Sequence, residues 1–388
     1  MKNVYFISES IPHPGYGSFI IFYRHLIKLE KEGYTINLII PDYKRSDADE
    51  FLTEVKDRWN IIKVPFKKWW FLFPYRYNNK LLRNARFWFV NLYLKKHFRN
   101  HHPDFIITYF YNQFFNGLAA FIKTRYKSHL GIFLHDDKYL LNNQQVPGLL
   151  EYDQYLSEKA DVIWTVSEDL IIPHTDKKKY RLLYPIPAGA ELGISNWTDN
   201  YQTPVIGFSG NIFHEYEEVF RSLAVALANF NGRLILVINN PSYYKWLPAL
   251  IAEYSNIQLT HAFADVNDTF NYLKENCTAL FCGYPNNIKL MPWLRTCFPS
   301  KFIEFSHLGL PIILTSPTNT ALSKWAAEHN WQLFSSDYHE AEFDELLKKI
   351  TNKNEWTTTA RQSVKISDTI FNPENIHLQL LTDIKHYA

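Results

Sequence analysis

The stretch Phe298-Pro299-Ser300-Lys301-Phe302-Ile303-Glu304-Phe305-Ser306-His307-Leu308-Gly309-Leu310-Pro311-Ile312-Ile313-Leu314 carries a complete helix-to-strand unit. Its Pro-Ser pair is typical of the first positions of a helix, and Gly309 suits the left-handed position just after a helix ends. The apolar run 310–314 then predicts a buried strand. A helix that leads into a buried strand is the repeating unit of an α/β fold.

The same stretch places one cation and one carboxylate in its helix. Lys301 and Glu304 stand three residues apart, so they share one helix face near the positive end of the helix. This pair suits an anionic diphosphate that lies beside a ribose diol. The plainer interpretation is an exposed ion pair on an ordinary αβ unit.

Short apolar strands alternate with helices along the whole chain. Strands are predicted at 4–7, 35–40, 105–109, 131–134, 162–166, 205–208, 233–238, 257–259, 278–282 and 311–314. Such alternation indicates parallel sheets covered on both faces, which bind ligands outside the carboxyl ends of their strands. We therefore predict an α/β protein of two Rossmann-like domains facing across a cleft, at 1–187 and 188–372. An amphipathic helix at 373–388 follows them.

Composition narrows the classes of function. At 388 residues the chain exceeds one ordinary domain, and a hydrophobic content of 46% is typical of a globular protein. A formal net charge of +2 argues against a dedicated nucleic-acid binder. Cys277, Cys282 and Cys297 lack CxxC spacing, which predicts neither a disulfide framework nor a zinc site. With no signal-peptide pattern and no apolar run of membrane-spanning length, we expect a cytoplasmic protein.

Two segments resemble a known family. The stretch 298–311 resembles the sugar-donor motif of GT-B glycosyltransferases, in which Pro-Ser/Thr-Lys-x-x-Glu precedes Gly-x-Pro-hydrophobic. The segment Ala-Asp-Val-Ile-Trp-Thr-Val-Ser at 160–167 is similar to the Ala-Asp-x-Ile-x-x-Val-Ser strand of the large retaining bacterial family, the group 1 or family 4-like enzymes. The resemblance implies a GT-B fold whose last helix packs back on the N-terminal domain. It also implies transfer of a sugar from a nucleotide-diphosphate donor to a hydroxyl acceptor, with retention, and with no metal or further cofactor.

The resemblance also implies roles for individual residues. Glu304 is expected to hold the ribose hydroxyls, Lys301 to neutralise the leaving diphosphate, and His135 to orient the sugar of the donor. Further substrate contacts are expected at Gly15, Gly17, Ser18, Asp136, Gly210, Asn211, His261, Ala262, Phe263, Arg295 and Ser300. Asp136 and Asp137 would instead suit a divalent cation, but they lack DxD spacing.

Two departures from the family pattern keep other functions open. Many similar enzymes place an Arg and a Lys shortly after the glycine at 210, whereas here the loop up to Glu218 offers only His214. Thr296 stands eight residues before Glu304, where the family has a first glutamate. These departures motivate a rival from another class, a non-catalytic GT-B scaffold that binds a glycan or a protein partner. A nucleotide-sugar epimerase on the same fold is a third possibility.

The interval 58–103 has an unusual composition. It contains eleven Lys or Arg residues, no Asp or Glu, and many aromatic residues. Cations beside aromatic rings are typical of a surface that docks on anionic lipid, and Trp69 and Trp70 beside Lys67 and Lys68 are the predicted contact. Such a protein would lie on the inner face of the cell membrane and take a lipid-linked acceptor or a precursor of a surface polysaccharide. The alternative is that the rings are plain core. Single-stranded nucleic acid is a poorer third, because no RNA-binding motif is present.

Overall fold

The computed structural model describes residues 2–9, 11–14, 19–42, 55–64, 80–110, 112–137, 148–189, 193–197 and 199–387. The chain forms two compact units. The first unit comprises Met1–Tyr184 together with His377–Ala388, and the second comprises Pro185–Ile376. The predicted membrane contact at Lys67, Lys68, Trp69 and Trp70 lies outside the described residues.

The first unit is built on a seven-stranded parallel sheet in the order β3-β2-β1-β4-β5-β6-β7. Its strands are β1 (Asn3–Ile7), β2 (Thr35–Pro41), β3 (Asn60–Val64), β4 (Phe105–Tyr109), β5 (His129–Leu134), β6 (Val162–Thr165) and β7 (Tyr180–Leu182). Its helices are α1 (Phe19–Lys31), α2 (Lys80–Asn100), α3 (Gln113–Tyr126) and α4 (Leu149–Lys159). The strand order reverses between β1 and β4, and such a reversal is where open parallel sheets bind ligands.

The second unit repeats this plan with a six-stranded parallel sheet in the order β10-β9-β8-β11-β12-β13. Its strands are β8 (Val205–Ser209), β9 (Arg233–Ile238), β10 (Ile257–His261), β11 (Ala279–Gly283), β12 (Ile312–Thr315) and β13 (Phe334–Ser335). Its helices are α5 (Tyr216–Ala228), α6 (Leu247–Glu253), α7 (Val266–Asn276), α8 (Ser300–Ser306), α9 (Ala321–Glu328), α10 (Glu340–Thr351) and α11 (Lys353–Asp368). The predicted α/β class with two parallel sheets is confirmed.

The last helix, α12 (Pro373–Tyr387), belongs to the first unit from His377 onward. The indole Nε1 of Trp164 on β6 donates a hydrogen bond of 2.8 Å to Asp383 Oδ2. The Nδ1 atoms of His25 on α1 and His377 lie 3.1 Å apart, so one donates to the other in a buried pair. These bonds tie the end of the chain to the sheet and the first helix of this unit.

The short helix α8 shows why its sequence folds as it does. It begins at Ser300 after Pro299, whose φ of −76° suits the position before a helix. The chain reverses at Gly309, which has a φ of +71°, and then enters β12. Phe302 and Ile303 are fully buried, so the apolar face of the helix is fixed in the core of the second unit. Among the described residues, no helix has the length and apolarity needed to cross a membrane.

Candidate functional site

The strongest candidate site in the second unit lies where β8 ends. Gly210 follows this strand with a φ of +130°, a conformation that side-chain-bearing residues rarely adopt. Its N–H donates to Val237 O at 3.1 Å, which fixes the backbone against β9. A Cβ atom at this position would fall on the Nζ atom of Lys301. The glycine therefore makes room for the lysine ammonium at the carboxyl edge of the sheet.

Lys301, in the first turn of α8, holds a partly buried ammonium. Its Nζ lies 6.0 Å from the centroid of the Phe208 ring, a cation–π distance. Burial lowers the pKa of Lys301, while the nearby Cys282 sulfur acts in the opposite direction. Burial in turn raises the pKa of the Cys282 thiol to about 12, so this thiol stays protonated at neutral pH.

The ammonium of Lys301 has no acidic partner within the part of the chain that the structure describes. Glu304, one turn further along α8, uses its Oε2 atom to accept a hydrogen bond of 3.1 Å from the backbone N–H of Ala188. The two charges therefore do not form an ion pair with one another. A partly buried cation without a carboxylate partner favours an anionic ligand, because an isolated charge is costly away from water.

The remaining predicted residues of the second unit lie along the same edge of the sheet. Asn211 follows β8, Arg295 ends a 3₁₀ turn after β11, and Ser300 begins α8; all three are exposed. Past the end of β10, Ala262 N donates to Ile238 O at 3.2 Å, and the ring of Phe263 lies 5.4 Å from that of Tyr272. Within the described chain, hydrogen bonds and ring contacts do not link these residues or His261 to Lys301.

His214 is the other candidate for phosphate binding in the loop up to Glu218. Its ring stacks on Trp246 at 6.5 Å, and its Nδ1 lies 3.6 Å from Glu217 Oε2. Thr296 uses its hydroxyl to donate to Trp293 O at 3.4 Å.

In the first unit, His135 follows β5 and is only 8% exposed. Its ring stacks on Phe22 with centroids 5.6 Å apart, and the rings of Tyr109 and Phe133 complete its surroundings. Burial lowers the pKa of His135 to about 4, so the imidazole is neutral at physiological pH. A neutral ring suits hydrogen bonding to a hydroxyl, although only a small part of this one is open to a ligand.

Asp136 and Asp137 come next and border a shallow pocket that is open to solvent. The apolar lining comes from Phe110, Leu134, Leu170, Ile171 and Ile172. Asp136 Oδ2 accepts a hydrogen bond of 3.2 Å from the Tyr109 hydroxyl. Searched over the described residues, the chain holds no cluster of three or more His, Cys, Asp or Glu side chains suited to a metal ion. The predicted contacts Gly15, Gly17 and Ser18 lie outside those residues.

Sequence reasoning missed three neighbours of the donor motif. Phe208 under the Lys301 ammonium, Cys282 beside it, and the Ala188 N–H that binds Glu304 were not predicted. The position of Phe208 could have been predicted. It stands on β8 two residues before Gly210, and alternate residues of a strand lie on the same face. The contact between Glu304 and Ala188 offered none, because 116 residues separate the two.

Comparison with known proteins connects this geometry to a known architecture. The sequence matches no protein-family model. No curated protein matches it either. Several solved structures, in contrast, are similar to the chain over its whole length. HepE from Anabaena in complex with UDP is 13% identical and covers all of both chains with a TM-score of 0.68, and the same protein with UDP-glucose gives 0.67.

Two further structures are similar over nearly the whole chain. A glycosyltransferase from Rickettsia africae is 11% identical, covers 100% of this chain and 98% of its own, and has a TM-score of 0.70. WaaG, a glycosyltransferase involved in lipopolysaccharide biosynthesis, is 16% identical, covers 97% and 98%, and has a TM-score of 0.56. At these identities the likeness establishes the fold. The chain has the GT-B fold of the glycosyltransferases to which it is similar.

Proposed function

We propose that this protein is a glycosyltransferase that moves a sugar from a nucleotide-diphosphate donor to a hydroxyl acceptor. The observation that carries the proposal is the Lys301 ammonium, partly buried against Gly210 and without a described carboxylate partner. A diphosphate would supply the missing negative charge. The presence of UDP and UDP-glucose in the similar HepE structures supports this class of ligand.

In the proposed reaction the bond between the sugar C1 and the diphosphate oxygen breaks, the acceptor oxygen bonds to C1 with retention of configuration, and the proton of the acceptor hydroxyl passes to the departing diphosphate. Negative charge grows on the leaving diphosphate. A fixed positive charge at that point stabilises the transition state more than the bound substrate, which is what accelerates the reaction. Lys301 takes this role, and the reaction needs no metal.

Further donor contacts are proposed at the carboxyl ends of strands in each unit. Glu304 would exchange its hydrogen bond with Ala188 N for the ribose hydroxyls. Phe263, with its exposed ring past the end of β10, suits contact with a nucleobase, and Ala262 and His261 would present backbone groups beside it. His135 and Asp136, at the carboxyl end of β5, would bind sugar hydroxyls.

The acceptor is a glycan, either lipid-linked or a precursor of a surface polysaccharide. The similar WaaG is involved in lipopolysaccharide biosynthesis, which favours an acceptor of this kind. The acid-free interval 58–103 supports a location in the cytoplasm at the inner face of the cell membrane.

The test compares Lys301→Ala with His214→Ala as its matched control. A thermal-shift panel of nucleotide sugars first identifies the donor, and release of the nucleoside diphosphate is then measured for both variants. Lys301→Ala should release the nucleoside diphosphate about 10- to 100-fold more slowly, because a charge-assisted hydrogen bond to the leaving group contributes about 1.5–3 kcal/mol. His214→Ala should behave as the wild type.

Other outcomes support the rivals. Release of no nucleoside diphosphate from any sugar donor would favour the non-catalytic scaffold, which the missing Arg and Lys after Gly210 motivate. An epimerised free nucleotide sugar would identify an epimerase. A larger loss in His214→Ala than in Lys301→Ala would move the phosphate site to the loop 211–218.

A further inference from the structure

Helix α2 exposes four large apolar side chains to solvent along one side. Trp88 is 47% exposed, Phe89 58%, Leu92 45% and Tyr93 57%. Residues spaced by one, four and five positions lie on one side of a helix, so these four side chains form a continuous patch. Scattered exposed apolar residues are ordinary on a protein surface, whereas a contiguous patch marks an interaction site.

The opposite side of α2 holds the helix in place without this patch. Phe87, Leu94 and Phe98 are buried. The Phe87 ring lies 5.7 Å from Phe114 on α3. Asn91 Oδ1 accepts a hydrogen bond of 2.8 Å from the Tyr126 hydroxyl. The described aromatic residues of this interval therefore form two sets, one buried in the core and one facing solvent.

Positive charge continues the patch along the helix. Lys95, Lys96 and Arg99 are exposed and stand seven, eight and eleven residues after Trp88, which places them on the same side. None of them forms an ion pair with a carboxylate in the described part of the first unit. The whole interval 58–103 lacks Asp and Glu, so acidic neighbours in sequence do not offset these charges.

We propose that this outer face of α2, formed by Trp88, Phe89, Leu92, Tyr93, Lys95, Lys96 and Arg99, docks on an anionic lipid bilayer. Aromatic rings settle at the headgroup level, and Lys and Arg meet lipid phosphates. Charge complementarity decides between occupants. A second copy of this face would bring three more cations and no carboxylate, because the interval 58–103 lacks Asp and Glu, whereas the phosphates of an anionic bilayer neutralise them.

This inference deepens the proposed function by naming the surface from which the acceptor is taken, and to that extent it rests on it. Docking through α2 places the first unit, with the pocket beside Asp136 and Asp137, on the membrane that holds a lipid-linked acceptor. Vesicle binding is measured without a sugar donor. A failure of glycosyl transfer and a failure of docking are therefore separate results.

The experiment is co-sedimentation of the full chain with vesicles. One set contains phosphatidylcholine alone, and the other contains equal parts of phosphatidylcholine and phosphatidylglycerol. The wild type should sediment with the anionic vesicles only, and added salt should release it because the attraction is screened over about 8 Å at physiological ionic strength. The quadruple variant Trp88→Ser, Phe89→Ser, Leu92→Gln and Tyr93→Ser should remain in the supernatant. Tyr243→Ser with Leu290→Gln, which removes two still more exposed apolar side chains from the second unit, should sediment as the wild type does.

A charge variant keeps the test decisive if the quadruple variant fails to fold. Lys95→Gln with Lys96→Gln changes only exposed polar groups and should weaken partition to anionic vesicles about 30-fold, because each basic residue contributes about 1 kcal/mol. Unchanged sedimentation of a folded quadruple variant, or of the charge variant, would overturn the proposal. So would a wild type that ignores vesicles and forms a dimer that the quadruple variant cannot form.

Discussion

The space beside Gly210 holds the ammonium of Lys301. A side chain at position 210 would have to displace this ammonium. The glycine has the φ of +130° that side chains disfavour, and the position of its absent Cβ is taken by Lys301 Nζ. The residue at 210 therefore controls the place of the cation at 301. The glycine is therefore part of the proposed phosphate site, although it carries no side chain.

Gly210→Ala should accordingly imitate the loss of the lysine charge. The added methyl displaces the ammonium, so we expect nucleoside diphosphate affinity to fall about 10- to 100-fold in titration calorimetry. Gly33→Ala is the matched control, because Gly33 has a φ of +87° with no atom within 4 Å of its Cβ position. Both variants should lose about 1–2 kcal/mol of stability from backbone strain, while only Gly210→Ala should lose affinity. Equal affinity in the two variants would separate the glycine from the ligand site.

The sequence predicts the part of the candidate site in which the helix signals and the charged residues lie in one short stretch. The helix start at Ser300, the turn at Gly309 and the charge of Lys301 lie within one short stretch, so nearby residues define them. The surroundings of Lys301 come from β8 and β11, which are brought together by the strand order. Phe208 and Cys282 are not neighbours of Lys301 in the sequence. The local pattern around Lys301 therefore does not predict their contacts with its ammonium.

At the scale of elements, the strands that the sequence did not reveal are β3, β7 and β13, and all three are sheet edges. Interior strands such as β4 are buried throughout and appear as continuous apolar runs. An edge strand has neighbours on one side only and tolerates polar residues, as the half-exposed β3 and β7 show. Their apolar signal is therefore too weak to separate them from loops.

The attachment of α12 gives a prediction at the same scale. Asp383→Ala would leave the indole N–H of Trp164 without its acceptor, and Trp164 is fully buried. Leaving a buried donor unpaired costs about 1–3 kcal/mol, so the midpoint of urea unfolding of the first unit should fall. Asp383→Asn keeps an acceptor oxygen and should change it little, and the exposed Thr382→Ala is a second control. An unchanged midpoint in Asp383→Ala would mean that this bond does not hold the helix.

For the whole molecule, buried histidines make stability depend on pH. Burial lowers the pKa of His135 to about 4 and holds the pKa of His25 well below its ordinary value. Repulsion between a protonated His25 and the neighbouring basic groups His377, His135, Lys28 and Arg24 lowers the pKa of His25 further. At a pH between the folded-state and the unfolded-state pKa of each histidine, the folded protein binds fewer protons than the unfolded chain. The contribution of these histidines to the free energy of unfolding is therefore complete above about pH 6.5 and decreases as the pH falls below it.

The expected loss is up to about 1.4 kcal/mol per pH unit for each such histidine. Melting temperatures measured between about pH 7.5 and about pH 5 should therefore decrease, and the decrease should be smaller in His135→Gln. His386→Gln, at an exposed position, should leave the slope as in the wild type. A slope that His135→Gln does not reduce would show that this imidazole is not the group that resists protonation.

The membership of α12 in the first unit also sets the order in which the protein is completed during its synthesis. Trp164 leaves the ribosome early, yet its partner Asp383 is made 219 residues later, after all of the second unit. At roughly 5–20 residues per second, the sheet of the first unit waits about 10–40 s for its closing helix. The first unit is therefore translated first but completed last. Until α12 is synthesised, the surface of the first unit that α12 covers is exposed to chaperones.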